Sequence, residues 1–544
     1  MRANQEWWRG GAIYQIYLPS FRDGNDDGFG DLPGLLSRLD YIAALGVDAI
    51  WVSPFHPSPM HDYGYDVADY RSVDPRFGTL RDFDAVIARA HDLGLKVIID
   101  LVWSHSSSEH PWFAESEECP RGPKADWYIW ADPAADGGPP NNWLSVFGGS
   151  AWNWSPRRRQ YYLHHFLPTQ PKLNLRSDGV LAAHFSNAEF WIARGVDGFR
   201  FDAVDFMLND ESLASNPPLM PRPAEMPWNP FRLQRHVHDM SGASIVDLAT
   251  RIRAFTDRFP GLVTMGEISS EVGAFDRIAA VTAGTRLHMA YTLRVMKSAF
   301  TPSEMRQWIA SAADLNRSGW ICWSFSNHDV ERVASRWNPD LRDQASFAKL
   351  ANALLLSLPG SVCLYQGEEL GLPGSRLPRD AIRDPFGRRF YPSYAGRDSA
   401  RTPMPWVAGA PNAGFSRAST TWLPVSPAHD ALAADRVAAA PDSTLQACRE
   451  MLAWRKRHPA LIEGDLRFID VPAPVVGWRR RLDDDNVLAV FNLAPEPVTL
   501  PADFLPPFES AAELSFVTPP CEGGLRLPPF GCSVGVEHGN RQRR

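Results

Sequence analysis

The sequence predicts an α/β fold: a (β/α)8 barrel with an inserted lobe after its third strand and a C-terminal antiparallel β domain. Three observations point there. First, three apolar stretches each close on one carboxylate: Gly198-Phe199-Arg200-Phe201-Asp202, Leu262-Val263-Thr264-Met265-Gly266-Glu267, and Trp320-Ile321-Cys322-Trp323-Ser324-Phe325-Ser326-Asn327-His328-Asp329. Buried strands that each deliver an acid at the C-terminal end are the pattern of a barrel active site. Second, strand-like and helical periods alternate up to residue 367, as parallel strands joined by helical crossovers require. Third, short alternating runs separated by turn residues replace that pattern after residue 458.

The first strand is read at residues 12–19. The loop behind it places oxygen donors at alternate positions: Asp23, Asn25, Asp27, the Phe29 carbonyl and Asp31. That spacing copies the first part of an EF-hand loop, which wraps a hard cation in oxygens. Gly34 stands where the EF-hand closes with Glu, so the loop is either a different cation site or a plain turn rich in Asp and Asn. Helical spacing at 32–45 (Leu35, Leu36, Leu39, Ile42, Leu45) stops at Gly46. The second strand follows at 47–54, a helix at 83–93, and the third strand at 96–103. Residues 106–175 then lose the helical period and turn rich in Pro, Trp, Gly and Asn. A structureless loop of that length is implausible in a compact domain, so an inserted lobe is expected. A helix at 181–194 leads into the fourth strand at Gly198. A Pro-rich rim excursion covers 205–240, and a helix at 246–259 precedes the fifth strand at Leu262. The sixth strand is read at 287–292, the seventh ends at Asp329, and the eighth spans 361–367. A third long loop covers 372–406, a helix covers 445–457, and the chain ends in a polar tail, His538 to Arg544. The division expected is a barrel of residues 1–104 and 176–458, a lobe of 105–175, and a β-sandwich domain of 459–538.

At 544 residues the chain is long for one unit, and 44% hydrophobic with 22% charged residues is ordinary for a water-soluble globular protein. A net charge of −8 argues against nucleic acid as a partner. No run reaches transmembrane length, so no membrane partner is expected. Residues 1–10 include Glu6 and Arg9 and lack an apolar signal core. The six cysteines are scattered without a Cys-x-x-Cys pair, which excludes the usual zinc pattern. Cys322 and Cys363 fall in apolar strands as buried thiols. These features set the expectation of a cytoplasmic protein with free thiols, working as a monomer or homodimer. The 20 tryptophans suit core filling and sugar stacking equally.

The acid-bearing motifs, Gly-Phe-Arg-x-Asp-Ala, Gly-Glu and Asn-His-Asp, closely resemble the α-amylase superfamily, glycoside hydrolase family 13, and within it the α-glucosidase and oligo-1,6-glucosidase branch. So do Asn141-Asn142-Trp143, Phe147-Gly148-Gly149-Ser150-Ala151-Trp152, Gln170-Pro171-Lys172-Leu173-Asn174 and the stretch from Gly396 to Trp406. Lys172 stands where family members commonly carry Asp. The resemblance implies that Asp202 is a nucleophile, Glu267 an acid/base and Asp329 a third acid that grips sugar hydroxyls. It implies that Asp62, Tyr65 and Arg397 hold a non-reducing glucose, with Arg401 the alternative to Arg397. By the same resemblance His105 and His328 donate to sugar hydroxyls, Phe147 and Phe166 wall the cleavage site, and Ca²⁺ or Mg²⁺ sits structurally in the loop from Asp23 to Asp31.

The chemistry agrees with those assignments. Cleaving an acetal through an oxocarbenium-like transition state needs one carboxyl group to protonate the leaving oxygen and another to attack or to activate water. Arg200 lies two residues before Asp202 and so faces the same side of the strand. A guanidinium there should keep the Asp202 carboxylate ionised and oriented. Glu267 needs the opposite, a raised pKa. Ala203 follows the nucleophile. In the family this position resembles a linkage selector, Val accompanying α-1,6 and smaller residues α-1,4 activity; strand alternation alone would put Ala203 behind the strand. The expectation is a retaining, exo-acting α-glucosidase for α-1,4-linked glucose at the non-reducing end of short α-glucosides such as maltose, with glucosyl transfer to acceptors beside hydrolysis. The alternatives are oligo-1,6-glucosidase, sucrose-isomerising or glucosyl-transfer activity. A remote one is a non-enzymatic, transporter-associated barrel, which would lack the acids and carry a membrane span.

Overall fold

Strand alternation decides this fold, because it sorts each barrel strand into an inward and an outward row. The computed structural model describes residues 6–221, 225–240, 244–312 and 315–537; the polar tail from His538 lies outside them. Its eight parallel strands are Ala12–Ile16, Ala49–Val52, Lys96–Leu101, Gly198–Phe201, Val263–Ile268, Met289–Thr292, Cys322–Ser324 and Ser361–Tyr365. Neighbours in sequence pair in order from the first to the sixth, and the eighth lies between the seventh and the first. A single parallel bridge, Ala290 to Ile321, joins the sixth to the seventh. Every strand position except Lys96 is buried, as expected for strands covered by helices outside and filled with side chains inside. The inward row forms its own apolar cluster, with Ile13, Ala49, Trp51, Ile98, Val263, Met265, Met289 and Tyr291. The outward row (Tyr14, Ile50, Val97, Ile99, Phe199) joins the larger core under the helices.

The local readings differ from the structure in instructive ways. The helix expected at 32–45 is two helices, Leu32–Leu36 and Leu39–Ala43. Ser37 donates its hydroxyl to the Gly34 carbonyl at the break, a local bond that competes with the helix ladder. The helix expected at 83–93 starts earlier, at Leu80, because Thr79 and Asp82 form a capping box. The seventh strand stops at Ser324, whose hydroxyl turns back to the Ser326 carbonyl, so Asp329 stands on a loop and not at a strand end.

Within the inserted lobe, Trp130–Ala131, Gln160–Leu163 and Trp152–Ser155 form a three-stranded antiparallel sheet. The rim excursion is tied to this lobe: Asn142 donates to the Asn216 carbonyl at 2.9 Å, and the Asn216 amide returns to Asn142 Oδ1 at 2.8 Å. Toward the C-terminus, five antiparallel strands (Asp465–Phe468, Val475–Leu482, Asp485–Asn492, Cys532–Glu537, Phe508–Ser510) lie in that spatial order. A second sheet pairs Val498–Pro501 with Gly524–Leu527, and Leu500, Leu525 and Leu527 pack on Val475, Leu488 and Val490. Buried Arg480 fastens these strands to the barrel by donating to the carbonyls of Ser357, Leu461 and Gly464.

Candidate active site

The inward row of the barrel turns polar in its upper layer, and Arg200 is its centre. The register places Asp100 of the third strand opposite Arg200 of the fourth. Arg200 is fully buried. Its Nη1 donates to Asp100 and, at 2.9 Å, to Asp202 Oδ1; its Nη2 donates to Glu267 and, at 2.8 Å, to the Tyr291 hydroxyl. Trp51 Nε1 donates to Asp100 at 2.9 Å. Glu267 also accepts from the Ser269 hydroxyl at 3.1 Å. One guanidinium therefore serves three carboxyl groups. Burial lifts Asp202 well above the usual carboxylate range, and it lifts Asp100 and Glu267 too, because Arg200 offsets only part of the desolvation. For Glu267 this is the expected direction. For Asp202 it corrects the expectation: Arg200 orients the carboxylate but is shared too widely to hold it below its ordinary value.

Arg397 builds a second centre. Its Nη2 donates to Asp62 Oδ1 at 2.6 Å and to Asp384 Oδ1 at 2.7 Å, and its Nη1 donates to Asp329 Oδ1 at 3.0 Å. Arg401 adds a bond to the same Asp329 oxygen at 2.9 Å. Arg397 and Arg401, set against each other by the sequence, thus act together. Burial alone would raise Asp329, yet His328, Arg397 and Arg401 hold it well below the carboxylate range.

Between the two centres lie the ring residues. The Tyr65 hydroxyl and His328 Nε2 are 2.6 Å apart, and the two rings stack with centroids 5.3 Å apart. Gln15 Nε2 donates to His328 Nδ1 at 2.8 Å. His105 Nε2 lies 2.8 Å from the Tyr65 carbonyl and therefore carries the proton there. Burial lowers His105 to about 4 and His328 to about 3, so both rings are neutral near pH 7. The one proton of His105 is committed to the Tyr65 carbonyl, and Ser104 donates to its Nδ1, which corrects the expectation that it donates to a sugar hydroxyl; His328 keeps its proton on Nε2. Phe147 lies under the Arg397 guanidinium, 5.4 Å from its Cζ, and meets Phe166 edge to face at 6.4 Å. Ala203 has φ 41°, a left-handed turn directly after Asp202, and packs with Phe206, Met240 and Phe166. This turn takes Ala203 out of the strand alternation, and its amide lies 3.4 Å from Glu267 Oε2.

A sequence profile of the α-amylase catalytic domain matches residues 15–464. The chain belongs to the α-amylase family. It is a glycoside hydrolase of that family. It is 44% identical, over 98% of its length and 97% of the relative's, to a probable α-glucosidase of Rhizobium meliloti strain 1021. It is 33% identical, over 91% and 93% of the two chains, to an oligo-1,6-glucosidase of Heyndrickxia coagulans. Among solved structures, the α-glucosyl transfer enzyme XgtA superposes with a TM-score of 0.93 at 46% identity, covering 98% of this chain and 99% of that one. The trehalulose synthase MutB of Pseudomonas mesoacidophila MX-45 gives 0.88 at 30% identity, covering 98% and 99%.

The family's loop from Asp23 to Asp31 is closely bonded here. Asp23 accepts from the amides of Asn25, Asp26 and Gly28 and from the Ser416 hydroxyl. Asp31 Oδ1 accepts from the amides of Gly24 and Gly34, while Oδ2 is buried without a partner. Burial, with Asp23 and Asp27 nearby, raises Asp31 to about 6. Among the described residues no three acidic, histidine or cysteine side chains converge on one point. The donors on offer are oxygens, the chemistry of a hard cation, and the unpartnered Asp31 oxygen fits one.

Sequence reasoning missed Asp100, Asp384 and Gln170. Asp100 was findable, since an acid inside an apolar strand must meet a buried cation, and Arg200 is the one available. Gln170, within a noted motif, donates to Asp62 Oδ2 at 3.2 Å. Asp384 carried no local signal, because only the fold brings it to Arg397.

Proposed function

We propose that the protein is a retaining α-glucosidase that removes single glucose units from the non-reducing end of short α-glucosides. The observation that carries this reading is the pair of guanidinium centres, Arg200 and Arg397, with the Tyr65–His328 pair between them. Asp202 and Glu267 bond to the two nitrogens of one guanidinium. Such sharing suits the roughly 5 Å separation of a retaining pair, not the ~6.5–9.5 Å that leaves room for an attacking water. The Arg397 centre ties Asp62, Asp329 and Asp384 together at the other end, and such a cross-link on one side of the acids supports exo action.

This mechanism requires Asp202 ionised and Glu267 protonated once substrate is bound: Asp202 attacks the anomeric carbon while Glu267 gives its proton to the leaving oxygen. Glu267 then takes a proton from water, whose oxygen displaces Asp202. An acceptor hydroxyl in place of water completes glucosyl transfer. Ionised Asp329 with neutral His328 binds the hydroxyls of the glucose ring, while His105 holds the Tyr65 backbone in place. Ala203, lining the turn beside the acids, favours α-1,4 links. Maltose should therefore be a much better substrate than isomaltose, and proton NMR should find α-glucose as the first product. β-Glucose released first would exclude retention.

The loop from Asp23 to Asp31 is proposed to hold one structural Ca²⁺ or Mg²⁺ through Asp23, Asn25, Asp27, Asp31 and the Phe29 carbonyl. Elemental analysis should find about one divalent ion per chain, and chelation should lower the Tm by mass action. A cytoplasmic location is proposed from the six free thiols. Among the described residues no helix is long and apolar enough to cross a membrane.

A further inference from the structure

We propose that Lys172 is a positioning residue whose ammonium ties the inserted lobe to the turn following Asp202 and thereby sets the wall that selects the leaving group. The inference rests on Asp202 being the nucleophile of an α-glucosidase.

Lys172 is 2% exposed, and its Nζ donates to the carbonyls of Phe206 and Met207 at 2.7 and 2.8 Å. Among the described residues no carboxylate pairs with it. A buried ammonium held by carbonyls alone is a costly arrangement, and the geometry says what it does. The two carbonyls end a single helical turn, Val204–Phe206, that begins at left-handed Ala203. No helix continues to satisfy them, so a donor must come from elsewhere. The same turn supplies the wall: the Phe206 ring lies 5.1 Å from Phe166 and 5.2 Å from His165, and Ala203, Phe206 and Met240 form one cluster. The other end of the strut is fixed in the lobe, where the Lys172 amide donates to the Leu163 carbonyl and its carbonyl accepts from Ile129. A backbone bridge joins Lys172 to His105. Lys172 thus fixes the distance between the lobe's Phe166 and the Ala203–Phe206 turn.

The charge state of this strut changes near neutral pH. Burial, then the nearby Arg176 charge, lowers Lys172 to about 7. The histidines packed beside it are neutral there. Burial holds His105 and His164 at about 4 and His165 well below its ordinary value. Arg176 pairs with Glu211 at 2.9 Å. Asp205, in the same turn, is engaged by the amides of Ser269 and Ser270, and Asp239 by His236.

The test compares wild type with K172M and K172R for kcat, KM and the maltose-to-isomaltose ratio from pH 5.5 to 8.5, with Tm alongside. Expected for K172M is a roughly tenfold to hundredfold lower kcat/KM on maltose and an altered linkage ratio. A p-nitrophenyl α-glucoside, whose leaving group needs less from the wall, should lose less. Wild type should show an inflection in KM near pH 7 that both variants lack; K172R stays charged and folds even where K172M does not. A K172M effect confined to Tm, or an inflection that persists in either folded variant, overturns the proposal. Full activity of Asp202→Asn would instead overturn the underlying reading, so the two failures are distinct.

Discussion

Two arginines in this molecule each face three carboxyl groups, with opposite results. Around Arg200 stand Asp100, Asp202 and Glu267, and all three are raised. Around Arg397 stand Asp62, Asp329 and Asp384; burial raises Asp62, but Asp329 and Asp384 are held down against burial. The difference is the His328 ring beside Asp329, a second cation and the backbone. Arg401 shares Asp329, and Asp384 accepts the Arg397 amide at 2.7 Å as well as its guanidinium. Arg200 has no second cation beside it: one positive charge meets three carboxyl groups, and the long Ala203 amide bond to Glu267 does not offset their burial. The first centre favours the protonated form that acid catalysis needs. In the second, Asp329 and Asp384 favour the ionised form that suits a grip on neutral hydroxyls. The same residue types thus do different work according to charge balance alone.

The contrast can be broken at several points. The largest effect belongs to the Arg200 centre: Asp202→Asn should cost at least about 10⁴-fold in kcat with the fold intact by circular dichroism. Asp384→Asn removes a partner of Arg397 without touching the reacting atoms. It should cost roughly 10–100-fold in kcat/KM, mostly through KM. An equal loss in kcat for both variants would erase the distinction between the centres.

Removing the second cation comes next. Asp329 lies below its unfolded value, so its ionisation adds stability above about pH 4 that fades as the pH falls further. Arg401→Met lifts the folded value toward the ordinary range. The acid limb of kcat/KM should therefore move to higher pH, and acid unfolding should begin at higher pH. A limb that stays in place would show that Arg401 does not set the charge of Asp329.

The smallest loss of activity is expected at Ala203, where the change is one of preference. Ala203→Val should raise activity on isomaltose relative to maltose by about 10–200-fold at most, the range of one or two methyl groups. It should also lower the Tm by a few degrees, since a β-branched residue at φ 41° is strained.

Much of this was legible in the sequence, because the barrel strands are short apolar runs with fixed alternation and their acids stand out against them. Asp202 and Glu267 were read from that contrast, and Arg200 from strand parity. What stayed hidden depends on the path of loops. Asp329 was read together with the other two acids, and only its place past the end of its strand, where a Ser324 turn ends the ladder, was hidden. Asp384 reaches Arg397 only because a long rim loop folds over the barrel mouth, its Tyr394 stacking on Trp228 of the other rim at 4.6 Å. The left-handed Ala203 was unreadable because Ala carries no preference for that region.

The central assignment, chemistry at Arg200 and grip at Arg397, is tested most directly by trapping the covalent intermediate. A fluorinated glucosyl fluoride that forms the glycosyl-enzyme quickly and loses it slowly should label the protein once. Peptide mapping by mass spectrometry should place the sugar on Asp202. A label on Asp329 or Asp62 would put the reaction at the wrong guanidinium and contradict the assignment.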